Sequence, residues 1–211
     1  LTVKNLGVIG AREGILFINV DLSTVSGDSV SNVGNVGIYL VNGSDTNTVK
    51  DNTLLSNLYG IFVSGSVNNT VTNNTSNSNT NYGIWVSASS SANTVSNNTT
   101  GSNTYGIVLQ SSSNNTATGN TASSNGTGIY LWSASNSTVS SNTVSSNTST
   151  GVYLDGATNN TVTGNTVNSN SMYGVLMQSS SNNNTVANNK LQANTRAGVY
   201  VASSSTNFVV Q

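Results

Sequence analysis

Six carboxylates are the side chains of this 211-residue chain best suited to hold a hard cation or move a proton near neutral pH: Glu13, Asp21, Asp28, Asp45, Asp51 and Asp155. His and Cys are absent. That removes imidazole and thiolate ligands, a histidine base, a cysteine nucleophile and any disulfide. Asp21 and Asp45 each lie four residues before a Val, at Val25 and Val49, so a periodic structure would stack them on adjacent turns beside Asp51. Oxygen ligands from Asp21, Asp45 and Asp51 would suit one calcium ion. Solvated turn aspartates are the plainer reading and the preferred one. No catalytic residue and no cofactor is assigned from the sequence.

Charge excludes further classes. Lys and Arg total 5, Asp and Glu 6, and the net charge is −1. With no basic stripe to neutralise phosphates, nucleic acid is not an expected partner. No apolar run approaches the ~18 residues needed for a membrane span. The chain opens on Leu1 without a leader signature, and is expected to be a processed product or part of something longer.

The elements that must position these residues are set by a repeat. Gly followed by three mostly apolar residues recurs nine times, from Gly14-Ile15-Leu16-Phe17 through Gly83-Ile84-Trp85-Val86 to Gly198-Val199-Tyr200-Val201, every 22 to 24 positions. A short period sustained end to end marks a solenoid. Each repeat adds an Asn-Thr-Val segment, such as Asn93-Thr94-Val95, and a third short segment, such as Asn142-Thr143-Val144. Val, Ile, Thr and Tyr suit strands. The expected fold is all-β: one domain over residues 1–211, a right-handed parallel β-helix of about nine turns with three short strands per turn. Alternation along a strand turns Ile38, Ile61, Ile84, Ile107, Ile129 and Val152 inward.

Asn recurs at three registers, exemplified by Asn93, Asn98 and Asn103. Stacked amides can form hydrogen-bonded ladders from turn to turn, so these rows are read as structural. The same alternation faces Tyr39, Phe62, Trp85, Tyr130, Tyr153 and Tyr200 outward as an exposed aromatic stripe. Such a stripe suits lateral packing of rods, sugar stacking or simple cross-strand stacking. Thr rows, including Thr48, Thr70 and Thr94, are good β-formers on a wet face. Five Asn-x-Ser/Thr acceptors share one exposed register, Asn68, Asn114, Asn136, Asn159 and Asn183, and are candidate N-glycosylation sites.

The block Asn-Asn-Thr-Val-x-x-Asn-Thr followed by Tyr-Gly-Ile resembles the parallel β-helix repeat of the pectate-lyase superfold. It is similar in particular to repeats of periplasmic copper-accessory proteins of nitrous-oxide reductase maturation and of archaeal surface-layer-associated proteins. The resemblance implies the β-helix fold. Pectate lyases and polygalacturonases, which resemble the chain in repeat only, use clustered Asp with Arg, Lys or His, a pattern these acids do not repeat. Apolar termini at Leu1, Val3, Phe208 and Val209 lack polar caps and sit a whole number of turns apart. They suggest head-to-tail stacking of copies. The function expected from sequence is therefore a non-enzymatic extracellular or cell-surface structural protein, self-assembling into filaments. Its partners would be other copies of the chain, with glycans in second place. The alternatives are a carbohydrate-binding or adhesive module and, more distantly, a polysaccharide lyase or hydrolase.

Overall fold

A computed structural model describes residues 1–210. Twenty-eight short strands form three parallel sheets of ten, nine and nine strands, here called A, B and C. Each turn contributes one strand to each sheet in that order. One turn, for instance, runs Thr94–Ser96 in A, Thr99–Gly101 in B and Tyr105–Gln110 in C. The expected β-helix of about nine turns is what the chain forms. Among the described residues no helix is long and apolar enough to cross a membrane.

Register is in phase with the repeat. Val71 pairs with Val95 in sheet A, and Ile84 with Ile107 in sheet C. Like therefore stacks on like, and the inward rows merge into one continuous core. Ile38, Ile61, Ile84, Ile107, Ile129 and Val152 are all fully buried, as alternation requires. A one-residue slip would turn each of these rows to solvent, so the pattern specifies its own register.

The corners explain the Asn registers. Between sheets A and B the chain bends at a single left-handed residue, such as Asn73 or Asn97, each with φ of 55°. The next residue, Asn74 or Asn98, is buried and holds the bend. The Asn74 backbone N–H donates to Asn98 Oδ1 at 2.9 Å, and Asn98 Nδ2 donates to Val71 O at 2.9 Å. Each amide thus staples two backbone groups of the preceding turn. The side chain does more than bond to its own kind, which is what ladders alone would do. A left-handed L-residue costs about 1–2 kcal/mol. Two or three buried hydrogen bonds at about 1 kcal/mol each offset it.

Candidate functional site

The acids scatter along the rod. Asp21 and Asp45 stack on adjacent turns as expected, but as backbone acceptors. Asp21 takes the Asp45 N–H at 2.8 Å, and Asp45 takes the Val67 N–H at 2.7 Å. Asp51 sits beyond the intervening strand Thr48–Lys50, at the next corner with φ of 58°. The calcium trio is therefore not assembled. Among the described residues no three His, Cys, Asp or Glu side chains form a group able to hold a metal ion. Glu13 is likewise committed to structure, accepting from Asn35 Nδ2 at 2.6 Å and the Val36 N–H at 3.0 Å.

Asp28 occupies a rung of the Asn98 ladder. Its Oδ1 accepts the Leu6 N–H at 2.7 Å, while its Oδ2 is buried without a partner. At the same rung one turn on, Asn52 Nδ2 donates to Val25 O at 3.1 Å. A carboxylate has no such hydrogen to give. Asp28→Asn is therefore expected to complete the rung toward Val3 O and to stabilise the protein by about 1–2 kcal/mol. A rise in the urea midpoint checks this, and an unchanged or lower midpoint contradicts it.

The aromatic stripe is present but is not the exposed row expected. Tyr130 is only 8% exposed, and Tyr39, Phe62, Trp85 and Tyr153 are half-buried; of the named residues only Tyr200 is exposed. The rings cover one another. Tyr39 and Phe62 stack at 4.8 Å, Phe62 and Trp85 at 3.9 Å, and Tyr130 and Tyr153 at 4.6 Å, with interplanar angles of 4° to 6°. Rings stacked along the rod present edges outward, so their faces are not free for a partner. A second row missed by the sequence reading, Tyr59, Tyr82 and Tyr105, flanks the first. Tyr59 and Tyr82 close against Trp85 at 5.4 and 4.8 Å.

One ring escapes. Trp132 is 40% exposed and stacks loosely on Tyr130 of the same strand, Thr127–Trp132, with ring centres 5.9 Å apart and planes 6° apart. Its neighbours along the sheet are Gln110 on one turn and Asp155 on the next, followed by Gln178. The registered positions on the turns to either side of it thus carry polar side chains and not rings. Hydrogen bonds fix the polar neighbours. Trp85 Nε1–H donates to Gln110 Oε1 at 3.0 Å, Tyr130 O–H donates to Asp155 Oδ2 at 3.0 Å, and Gln178 Nε2 donates to Tyr153 Oη. Burial, reinforced by the Asp155 hydrogen bond and charge, pushes the Tyr130 phenol far up, so it stays a donor. Burial first, then the charge of Asp155, raises Tyr153 to about 12.

Beside this patch, the corner between sheets C and A opens a trough of about 360 Å³ lined by Ser89, Ser111, Ser112, Ser113, Ser133 and Ser135. Ser133 directly follows Trp132 in the chain and its N–H donates to Asp155 O at 2.8 Å, so trough and patch adjoin. Ser112 is 5% exposed and its Oγ is buried without a hydrogen-bond partner. An aromatic platform, a carboxylate and a row of hydroxyls thus share one surface.

The other expected sites are placed without being joined to this one. Asn68, Asn114, Asn136, Asn159 and Asn183 are all exposed at left-handed corners before sheet A. Leu1, Phe208 and Val209 are exposed on the two end turns, and Val3 packs partly against the core.

Fold and site together define a parallel β-helix with a single asymmetric aromatic and polar patch on one sheet. The chain belongs to the NosD family, described as periplasmic copper-binding protein, whose model matches residues 1–137 and again 82–210. No curated protein matches the chain by sequence. Among solved structures it is similar to a double mutant of the periplasmic alginate epimerase AlgG, with 13% identity and a TM-score of 0.79 over 100% of this chain and 69% of that one. It is similar to the A-module of the Azotobacter vinelandii mannuronan C-5 epimerase AlgE6, with 15% identity and a TM-score of 0.64 over 100% and 79%. It also resembles DFA-IIIase from Arthrobacter chlorophenolicus A6 in complex with GF2, with 14% identity and a TM-score of 0.76 over 90% and 54%. At these identities the likeness is one of fold.

These findings correct the expectation of a non-enzymatic, self-assembling structural subunit. The architecture is one on which sugar-processing enzymes are built, and the rings expected to pack rods together already pack on themselves. Copper fits the chain no better. With no His or Cys, the sulfurs are those of Met172 and Met177, and Met177 points into the core, fully buried. The two cannot converge on an exposed ion, and among the described residues no carboxylate cluster joins them.

Proposed function

We propose that this protein is a carbohydrate-active β-helix working outside the cytoplasm, engaging a glycan across sheet C at Trp132 and Asp155. The observation that carries this reading is the indole of Trp132, exposed and flanked on adjacent turns by Gln110 and Asp155 instead of by further rings. A pyranose ring has an apolar face of C–H groups that lies flat on an indole, while its hydroxyls point sideways. There Asp155 accepts charge-assisted hydrogen bonds, and the serine trough offers hydroxyls that both donate and accept. Asp155 is also the carboxylate on this face able to take a proton from a bound sugar. The periplasmic description of the family and the sugar-processing neighbours support the same reading.

The test uses Trp fluorescence, since the chain has two Trp and the other, Trp85, is already stacked. Glycan titration should perturb Trp132 emission. Trp132→Ala should weaken binding about tenfold or more, as loss of a central aromatic anchor does. Asp155→Asn should weaken it and abolish any product formed, while Asp45→Asn should change neither. Unaltered glycan retention by Trp132→Ala would refute the site.

A further inference from the structure

Resting on the glycan reading above, we infer that the ligand is a neutral polysaccharide and that polyuronates are excluded. Residues 52–189 carry a single charged side chain, Asp155. Lys4, Arg12, Lys50, Lys190 and Arg196 all lie outside that stretch. The last of these sits over the Tyr173 ring, 5.5 Å from its centre, on the final turn. Trp132, Gln110, Gln178 and the serine trough therefore face the ligand with dipoles and one negative charge.

A polyuronate brings about one carboxylate per sugar. Binding it in this patch would take those carboxylates from water with no cation to meet them, and would bring one against Asp155. Calcium bridging offers no escape, because the described residues hold no acidic cluster to anchor the ion. A neutral glycan pays neither penalty. Its hydroxyls match what the surface presents: Asp155 as acceptor and the serine hydroxyls of the trough as donors and acceptors. The likeness to alginate epimerases thus extends to the backbone and not to the charge of the ligand.

The experiment is affinity electrophoresis of the full chain through gels holding soluble β-glucan, mannan, xylan, alginate or polygalacturonate, at low salt, with and without calcium. At least one neutral glycan should retard the protein, and Trp132→Ala should abolish that retardation. Alginate and polygalacturonate should bind at least about tenfold more weakly in both conditions. Asp155→Asn combined with Ser133→Arg should narrow that gap by admitting the uronates. Retardation by a polyuronate equal to or stronger than by every neutral glycan would overturn the inference and leave the glycan reading standing. Retardation by none of the five would overturn both.

Discussion

Gly83→Ala is expected to destabilise the protein by about 3 kcal/mol, more than any single surface change. A Cβ there would lie 2.6 Å from the Gly106 carbonyl oxygen of the next turn, 2.9 Å from Asn103 Nδ2 and 3.1 Å from Thr100 Cγ2. The nearest of these is backbone and cannot swing away without parting the two turns. Gly106 meets the Gly128 carbonyl in the same way at 2.5 Å. The motif glycine thus marks where one turn's backbone closes on its neighbour's. Gly198, at the same position in the last turn, has nothing nearer than Leu191 Cβ at 3.6 Å. Gly198→Ala should therefore be tolerated. Equal melting of the two variants would remove this account of the repeat.

Asn98→Ala is the second large loss. It removes the bonds from Asn98 Nδ2 to Val71 O and Asn120 Oδ1, and leaves the Asn74 N–H without its acceptor. One backbone N–H would be buried and unpaired, at about 1–3 kcal/mol, and Val71 O would keep only its ladder bond, so a total of about 2–4 kcal/mol is expected. Asn97 next to it is exposed and left-handed. Asn97→Gly should leave stability nearly unchanged, because Gly accepts that conformation freely. Urea denaturation of the pair separates the staple from the bend. A loss under about 1 kcal/mol for Asn98→Ala would mean that water replaces the amide.

Most of the fold was legible in the sequence because each rule applied there is local and repeats nine times. The Gly spacing set the turns, alternation set Ile84 and Val95 inward, and the Asn registers set the corners. Alternation gives no outward place to Tyr82, which shares parity with inward Ile84. In the structure Gly83 and Ile84 are both buried and the Tyr82 ring lies half-buried against Trp85. It also overstated the exposure of Tyr130, since nothing in one strand reveals that parallel register will lay equal rings face to face. The Trp132 patch could have been found. Trp132 and Asp155 stand one period apart, each two residues after the outward ring of its strand. Paired acids are the usual mark of sugar chemistry on a sequence, and this surface has one acid and an indole.

The hydrogen bonds of all three sheets join each turn to the next and so run along the rod, not around it. Each turn is held by its two neighbours alone. A pull on the two ends therefore loads these interfaces in series, and the weakest one sets the force the whole body can bear. Yielding becomes stepwise: every released turn hands over about 75–80 Å of slack chain, at roughly 3.3–3.6 Å per residue. A glycan lying across sheet C from Gln110 to Gln178 would span four turns. It would act there as a splint, bearing tension in parallel with the interfaces beneath it.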